Sequence, residues 1–597
     1  MDTVHAHFIR ALERYPEKPL FREQRGTLSY GETAVRVGAA VERFRRLGLK
    51  RGDIVACFTD QTIPQAMFVL TAGLMRVIPA TISPVFSRQY LKTLCKMSGA
   101  RAIYTTAEHV KVAEGLGIPV IVYGGELGAK EQLDPRAVPR ERVLFDDATR
   151  IELRDAHAAI RDLSSTLCVE DALLIQPTSG SSGVPKLVLR NHVAFSRYAM
   201  FVGRELERGL GSARRFRMLA ANALTHAFAC HMFATALRFG AELAIPSELD
   251  ISASLEEVRA LDPEVLPMTP RILRSLIRQQ QASEAGAGRL FGPSAKLYLT
   301  AGGKSDADAL HRLRAEGVEI IEFYGSSEAS LVTVTPYGGW SPGSAGVPVP
   351  DVSLKFNRSG EVLVKSPGLM LGYHGDTELT DVMIDEDGYF RTGDLGRLDE
   401  HGYVQIFGRR RDIFNTPEGS NIYPERVEIQ LESLAWVEQA FLVGDGRPYV
   451  TAHLVVRPEL RHAKAIPRTA AVELLRECDI PERSSNAISV EGNEDLYDYA
   501  GGELARLNQV FEVIEQVVAF VLYDSSLSPD VYKTVTAGKV HRDRPRFLEL
   551  YKNNLESLYD DLANDSLMRV PPGERRCRFR TAPIIATDQP KPGKIAL

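Results

Sequence analysis

Helix-like and strand-like segments alternate repeatedly through the first half of the chain, and this alternation limits the fold more than any other feature. Apolar residues recur at helical spacing over Tyr30–Leu49, whereas Asp53–Thr59 is a continuous apolar run typical of a buried strand. The two patterns then continue with a helix over 62–77 and strands at 78–83, 101–106 and 118–124. Because parallel strands need crossover helices, the pattern predicts an α/β fold of parallel or mixed sheets flanked by helices.

The length of 597 residues predicts more than one domain, because single hydrophobic cores stop growing well below this size. A polar, glycine-rich and proline-rich stretch begins near residue 409, and such stretches are typical of domain junctions. We therefore predict a large domain over 1–408 and a smaller α+β domain over 409–597, with a hinge at 409–412.

Two segments do not match the patterns of these domains. The charged segment Glu141–Ser165 reads as a surface connection, and residues 567–597 form an extension that the sequence does not explain.

The composition excludes several classes of protein. Apolar content of 44% with 25% charged residues is ordinary for a globular chain, and a net charge of −5 gives no reason to expect nucleic acid as a partner. No run approaches about 18 uncharged apolar residues, and the N-terminus lacks the apolar core of a signal peptide, so we expect no membrane span. Six scattered cysteines without ligand spacing favour buried thiols in a reducing cytosol and a cytoplasmic location.

The stretch Leu173–His192 joins an apolar run to a loop of glycines and hydroxyl residues that ends in a lysine. Gly180 and Gly183 let main-chain N–H groups approach a ligand closely, and Lys186 adds a positive charge. Hydroxyl donors come from Thr178, Ser179, Ser181 and Ser182. Such a loop suits a polyphosphate, although its spacing is not that of the P-loop, and a solvated turn is the alternative.

This loop resembles the phosphate-binding signature of the adenylate-forming superfamily, which includes acyl-CoA synthetases, luciferases and adenylation domains. Further segments resemble the other signatures of the superfamily in the same order, namely Phe323–Ser330, Pro342–Gly346, Tyr389–Gly396 and Gly408–Asp412. Five motifs in the right order are a specific signal, and the resemblance extends from about residue 10 to at least 560.

The resemblance implies a nucleotide site built from these motifs. Tyr324 would stack on adenine, Asp394 would accept the ribose hydroxyls, and Arg409 would add a ribose or phosphate contact. Glu328 and Thr178 would hold Mg²⁺ through oxygen atoms. The rest of the implied nucleotide-binding set is Gly325, Ser326 and Ser327.

The implied reaction has two steps, with ATP and Mg²⁺ in the first and CoA in the second. A carboxylic acid becomes an acyl-adenylate, and the acyl group then passes to CoA after the small domain has swung. The spacing between Asp412 and Ile422 and the segment Val535–Tyr559 resemble long-chain fatty acyl-CoA synthetases, so we expect a fatty acid. Transfer to an acyl carrier protein or an amine, and a non-catalytic regulator that binds adenylate or acyl groups, are the alternatives. The oligomeric state is left open.

Four further positions are assigned to the acyl and CoA sites from the same resemblance. His226 matches a gate of the acyl pocket, and Gly302 and Gly303 match the turn that lines the carboxylate. Gly419 would let its loop pass the pantetheine arm of CoA. For His231 a structural role is about as well supported as a functional one.

Two lysines compete for the catalytic position of the small domain. Lys539 follows the strand-like run Val517–Tyr523 and precedes the long-chain type of terminal helix. Lys594 lies in a segment whose sequence is closer to that of shorter family members. This segment follows the helix in the chain. We favour Lys539 and keep Lys594 as the alternative.

Overall fold

The computed structural model describes most of the chain, and the chain divides into two compact units. The first unit comprises Met1–Ile406 with Thr534–Val540, and the second comprises Phe407–Lys533 with His541–Leu597. The described residues are 2–24, 26–84, 86–123, 142–144, 152–178, 185–211, 215–247, 255–270, 272–273, 276–277, 290–303, 305, 307–417, 421–434, 436–447, 449–456, 494–511, 515–523, 532–536, 539–542, 544–550, 552, 555 and 559.

The helices of the described residues are, in chain order, α1 Val4–Arg14, α2 Tyr30–Arg46, α3 Thr62–Leu74, α4 Arg88–Ser98, α5 Val110–Ala113, α6 Leu153–Ser165, α7 His192–Leu210, α8 Ala227–Phe239, α9 Leu255–Leu261, α10 Ala307–Ala315, α11 Thr377–Met383, α12 Pro424–Ser433, α13 Glu494–Asn508 and α14 Arg544–Leu550. Within this part of the chain, no helix combines the length and the apolar character needed to cross a bilayer.

The strands are β1 Pro19–Glu23, β2 Gly26–Ser29, β3 Ile54–Phe58, β4 Ile78–Ile82, β5 Ala102–Thr106, β6 Val120–Tyr123, β7 Arg142–Leu144, β8 Ala172–Thr178, β9 Lys186–Asn191, β10 Arg217–Leu219, β11 Glu242–Ala244, β12 Val265–Pro267, β13 Leu297–Thr300, β14 Glu319–Ser326, β15 Ser330–Val334, β16 Val347–Pro348, β17 Ser353–Phe356, β18 Glu361–Lys365, β19 Gly372–Tyr373, β20 Phe390–Leu398, β21 Val404–Arg409, β22 Phe414–Asn415, β23 Asn421–Ile422, β24 Val437–Val443, β25 Val450–Val456, β26 Val517–Tyr523, β27 Tyr532–Thr536 and β28 Lys539–Arg542.

Two large sheets carry the first unit. As far as the described residues show, one sheet has the strand order β19-β9-β8-β4-β3-β5-β6-β7 and the other the order β16-β15-β14-β13-β12-β10-β11-β1-β2. Neighbouring strands from β8 through β4, β3, β5 and β6 to β7 run parallel, while β9 and β19 are antiparallel additions at one edge. A smaller sheet has the order β17-β18-β20-β21, and its strand β20 contains Asp394.

Local sequence explains the helices that pack on these sheets. A capping box at Ser29 and Glu32 starts α2, and apolar residues at helical spacing bury one side of it. Every residue of α3 is buried, as expected for a helix that is apolar all round. The largest core cluster contains side chains of α1, α2, α3, α7 and α8 together with side chains of both large sheets. These helices therefore fill the first unit's interior.

The second unit has its own core. Strand β25 pairs antiparallel with β24 and parallel with β26, and side chains of α12 and α13 belong to the same cluster. Trp436 is almost fully buried in this cluster. The predicted helix over Pro424–Leu434 is observed with almost these bounds, and proline at its first position is the expected start.

The segment Glu141–Ser165, predicted as a charged surface connection, includes regular structure. It contains β7, which pairs with β6, and α6, which buries Ala156 and Ile160. Gly38 of α2 lies against Ala156, so the two helices approach closely. The many charged residues between the apolar ones hid the helical spacing in the sequence.

The prediction of buried cysteines holds for three of the four that the described residues include. Cys57, Cys95 and Cys230 are buried free thiols, whereas Cys168 is exposed because it lies in the turn between α6 and β8. Cys478 and Cys577 lie outside the described residues.

Candidate active site

The predicted phosphate loop is the connection of a β-hairpin. Strands β8 and β9 pair antiparallel in a register that sets Thr178 opposite Lys186, so both residues stand at the base of the loop on one face. Both are half-buried. The intervening loop residues Ser179, Gly180, Ser181, Ser182 and Gly183 lie outside the described residues.

The segment Phe323–Ser330 forms a second hairpin, in which β14 and β15 are joined by a tight turn. Tyr324 is half-buried near the end of β14, and its hydroxyl donates a hydrogen bond to Oδ2 of Asp394 at 2.7 Å. Asp394 is 5% exposed, and its backbone N–H donates to the Thr392 hydroxyl at 3.0 Å. The structure thus brings together the residues predicted to bind adenine and ribose, which are 70 positions apart in the chain.

Glu328 lies in the turn of the same hairpin and is connected to the phosphate loop through a tyrosine. The Tyr373 hydroxyl donates to Oε1 of Glu328 at 3.2 Å, and Nζ of Lys186 lies 5.1 Å from the centre of the Tyr373 ring. The backbone N–H of Glu328 also donates to the Ser326 hydroxyl at 3.2 Å. Tyr373 therefore contacts both the predicted metal ligand and the predicted phosphate-binding cation.

Tyr373 was not among the predicted site residues. It is 4% exposed in the short edge strand β19, which pairs with β9 so that Tyr373 stands opposite Val188. In the sequence it is one tyrosine between a glycine and His374, outside the five motifs that identified the site. Only the pairing of β19 with β9 reveals its position.

The groups predicted to bind Mg²⁺ fit this ion by their chemistry. Mg²⁺ takes hard oxygen ligands, and Glu328 offers a carboxylate while Thr178 offers a hydroxyl. The hydrogen bond from Tyr373 occupies one lone pair of Oε1, and the Glu328 carboxylate has further lone pairs that could accept a cation. Both residues belong to the first compact unit.

The residues predicted on the acyl side lie at the ends of two elements. His226 is half-buried at the N-cap of α8, and Gly302 and Gly303 are exposed just after β13. Gly302 has φ +82°, a conformation that favours glycine. Ser305 continues this turn and donates a 2.5 Å hydrogen bond to Glu322 of β14, and burial raises the pKa of the Glu322 carboxyl.

The remaining predicted residues lie elsewhere. Arg409 is half-buried at the end of β21, and a 3₁₀ turn follows at Arg410–Asp412, where we predict the hinge. Lys539 is the first residue of β28. Gly419, Lys594 and the extension 567–597 lie outside the described residues.

The chain matches the model of the AMP-binding enzyme family over residues 8–374. A long-chain-fatty-acid–CoA ligase of Mycobacterium bovis, FadD15, is 26% identical over 479 residues, which cover 72% of this chain and 77% of the relative. A 2-succinylbenzoate–CoA ligase of Geobacillus kaustophilus is 26% identical over 446 residues, covering 72% of this chain and 82% of the relative.

Solved structures with the same fold are more distant in sequence. The anthranilate CoA ligase AuaEII in complex with anthranoyl-AMP aligns with a TM-score of 0.70 at 17% identity, over 93% of this chain and 98% of that chain. The O-succinylbenzoate CoA synthetase of Bacillus subtilis, in complex with ATP and magnesium ion, aligns with a TM-score of 0.65 at 18% identity, over 90% and 99%. These alignments confirm the predicted α/β fold.

Proposed function

The chain belongs to the AMP-binding enzyme family, and from this membership we propose that it activates a carboxylic acid with ATP and transfers the acyl group to CoA. The resemblance to the adenylate-forming superfamily, inferred from five motifs, is thereby confirmed. Membership makes the chain an enzyme of the acyl-CoA ligase type, so the alternative of a non-catalytic regulator is set aside.

The observation that supports the site assignment best is the pair of contacts around the β14–β15 hairpin. On one side Tyr324 bonds to Asp394, and on the other Glu328 contacts Tyr373, whose ring lies over Lys186. An aromatic ring with a carboxylate suits a nucleoside, whereas a carboxylate with a lysine suits metal-bound phosphates. These contacts support a nucleotide whose base and ribose lie near Tyr324 and Asp394 and whose phosphates lie near Glu328 and Lys186.

In the first step an oxygen of the acid carboxylate attacks the α-phosphorus of ATP. The bond from this phosphorus to the bridging oxygen breaks, and pyrophosphate leaves. Negative charge increases on the phosphoryl oxygens, and fixed cations and donors such as Lys186 and the Thr178 hydroxyl would stabilise it. Mg²⁺, when bound at Glu328 and Thr178, supplies further charge neutralisation.

In the second step the CoA thiolate attacks the acyl carbon, the bond to the AMP oxygen breaks, and AMP leaves. We assign the first-step lysine of the small domain to Lys539, which follows β26 in the chain and precedes α14. Arg409 is proposed to contact the ribose or a phosphate. Gly419 is proposed to let its loop pass the pantetheine arm of CoA. The names of the relatives support CoA over a carrier protein or an amine as acceptor.

The proposal for the substrate names a class of carboxylic acids and not one compound. A fatty acid agrees with the names of the mycobacterial and enteric relatives, whereas another relative of equal identity is named for 2-succinylbenzoate. His226, Gly302 and Gly303 are proposed to line the acid's site. A cytoplasmic location remains a prediction from the cysteine pattern.

The test is ATP–pyrophosphate exchange with a panel of straight-chain, branched and aromatic carboxylic acids. We expect exchange with at least one acid, followed by AMP release that depends on added CoA. Exchange with no acid in the panel would contradict acid activation. AMP release that requires an acyl carrier protein or an amine instead of CoA would contradict the acceptor.

A further inference from the structure

A buried arginine lies beside the proposed active site. Its hydrogen bonds within the described part of the chain go to uncharged groups, and the carboxylate of Glu328 acts on it electrostatically. Arg190 is 0% exposed in β9, and one terminal guanidinium nitrogen donates to Oε1 of Gln176 at 2.9 Å. The other terminal nitrogen donates to Nε2 of His231 at 2.8 Å, and the guanidinium carbon lies 4.4 Å from the Phe195 ring centre. These partners are all neutral, and Nε of Arg190 has no partner among the described residues.

The contact with Arg190 also determines which nitrogen of His231 carries the proton. A guanidinium can only donate, so Nε2 of His231 accepts and the proton of the neutral ring lies on Nδ1. Burial lowers the pKa of His231 well below its usual range, which keeps the ring neutral. Nδ1 has no partner among the described residues, so His231 presents a second unused N–H donor.

Two hydroxyl groups of the same cluster are also without partners in the described structure. Tyr198 stacks on His231 with ring centres 4.1 Å apart, and its hydroxyl is buried and unpartnered. The Thr225 hydroxyl is likewise buried and unpartnered, and its backbone carbonyl accepts from Gln176 at 3.5 Å. Buried donors without acceptors are costly, and a group of them around a cation is typical of a binding site that lacks its ligand.

This cluster adjoins the proposed nucleotide site. The register of β8 and β9 places Arg190 on the same face of the hairpin as Lys186 and Thr178. Tyr198 contacts Phe323, the residue before Tyr324, with ring centres 5.5 Å apart. Thr225 precedes His226 at the start of α8. The cluster therefore lies between the phosphate-loop hairpin and the elements proposed to line the acid.

We infer that Arg190, His231, Tyr198 and Thr225 bind a second carboxylate, carried by the acid substrate at a distance from the carboxylate that is activated. This inference rests on the proposed acid-activating function and narrows its substrate to dicarboxylic acids. A carboxylate supplies up to four acceptor positions for such donors and would add a charge-assisted hydrogen bond to the buried cation. A plain alkyl chain would leave all of them unsatisfied.

The test compares α,ω-dicarboxylic acids with monocarboxylic acids of equal carbon number, and with the corresponding half-amides, in ATP–pyrophosphate exchange. At the preferred length we expect kcat/KM for the diacid to exceed that for the monoacid by on the order of 100-fold, because the monoacid leaves the buried donors unpaired. Equal use of both acids at every length would overturn the second-carboxylate site and leave acid activation intact. Equal use of the half-amide would overturn the requirement for a carboxylate.

Variants assign this preference to the cluster. Arg190→Met keeps the length of the side chain and should bring the diacid-to-monoacid ratio close to one. Tyr198→Phe removes a hydroxyl that has no hydrogen-bond partner among the described residues, so folding should be unaffected, while kcat/KM for the diacid should fall about tenfold. Arg204 is exposed near the Phe201 ring, so Arg204→Met is the matched control and should leave the ratio unchanged. A ratio that stays high in both test variants would mean that the cluster holds only water.

Binding without turnover separates this inference from the proposed function. If no acid supports exchange, the second-carboxylate site is tested by the midpoint of thermal unfolding of the full chain, measured with and without diacid in the absence of ATP. A midpoint raised by the diacid, but not by the monoacid, in the parent and lost in Tyr198→Phe would support the site. A midpoint that does not respond to any diacid would overturn it.

Discussion

Tyr373 shows how one side chain can determine the geometry of two others in the proposed active site. Its hydroxyl contacts Glu328 and its ring faces the ammonium group of Lys186. A cation over an aromatic face is attracted by the ring quadrupole, so the tyrosine holds the lysine near the phosphate loop even without a nucleotide. At the scale of single residues, the proposal therefore predicts a loss of kcat/KM when Lys186 is replaced and a higher Mg²⁺ requirement when Tyr373 is replaced.

Lys186→Ala should lower kcat/KM for adenylate formation by about 100-fold to 1,000-fold, because a fixed cation near the developing charge is lost. The melting temperature should hardly change, since a half-buried lysine with a single ring contact contributes little to stability. Lys355 also lies over a tyrosine ring, at 4.0 Å from the centre of Tyr389, so Lys355→Ala is the matched control. Unchanged pyrophosphate exchange in Lys186→Ala would contradict the assignment.

Tyr373→Phe should raise the Mg²⁺ concentration needed for half-maximal activity by about tenfold, because a group that orients a metal ligand is lost while the ring over Lys186 remains. At saturating Mg²⁺ the rate should return close to that of the parent. Magnesium titration of the exchange reaction measures this, with Tyr389→Phe as control. An identical titration curve for Tyr373→Phe and the parent would show that the hydroxyl does not position Glu328.

At the scale of secondary structure, the β14–β15 hairpin is the element on which the proposed nucleotide site depends. Its register pairs Tyr324 with Thr333 and Gly325 with Leu331, with an irregularity between the two pairs. Ser330 has φ +58°, which is unusual for a residue other than glycine, and its hydroxyl donates to the backbone carbonyl of Ala194 at 3.0 Å. The tight turn thus holds Tyr324 and Glu328 on one short piece of rigid backbone.

Gly325→Ala tests this element. A β-carbon at Gly325 would overlap the backbone carbonyl oxygen of Ser330, and backbone cannot move aside as a flexible side chain can. We expect a loss of about 2–3 kcal/mol in unfolding free energy and a larger loss of ATP binding. Gly26→Ala is the control, because nothing lies within 4 Å of an added β-carbon there. A variant with the stability of the parent would mean that the turn is looser than described.

The first unit buries His5, His7 and His192, and two of these, His5 and His192, join segments that are far apart in the chain. Nε2 of His5 bonds to the carbonyl of Leu70 at 2.9 Å, and the backbone N–H of Val4 donates to Nδ1 of His192 at 3.4 Å. Burial lowers the pKa of His5 to about 4, that of His7 to about 3 and that of His192 well below its usual range. Charges from Arg10 and Arg238 lower the pKa of His7 further.

These shifts predict acid sensitivity. In the unfolded chain each histidine titrates near pH 6.5, so the unfolded state binds more protons below this pH and stability falls as the pH drops. Between pH 7.5 and 5 the loss should be about 2 kcal/mol for each of His5 and His7. Urea unfolding across this range measures it, and His5→Gln should flatten the dependence while the exposed His401→Gln should not. A stability that does not change down to pH 5 would contradict these buried neutral rings.

The two competing lysines test the arrangement of the whole chain. Lys539→Ala should cripple adenylate formation but largely spare thioester formation from supplied acyl-adenylate, because the small domain is proposed to swing between the steps. Lys594→Ala, or truncation after Leu567, should be mild by comparison. Separate assays of the two half-reactions measure both effects. The opposite result would make the segment from Lys539 to Leu567 an insertion and move the catalytic end to the last residues.

Local sequence patterns predicted the fold class and a candidate phosphate loop of this protein without a structure. Alternating periodicity predicted the α/β fold, and glycine and hydroxyl residues beside Lys186 identified a candidate phosphate loop, because both signals lie within a few neighbouring residues. Tertiary structure was needed for Tyr373, which meets Glu328 and Lys186 through the pairing of β19 with β9. It was also needed for the donors around Arg190 that lack partners among the described residues, since their burial depends on residues that distant segments bring, and no local pattern encodes it.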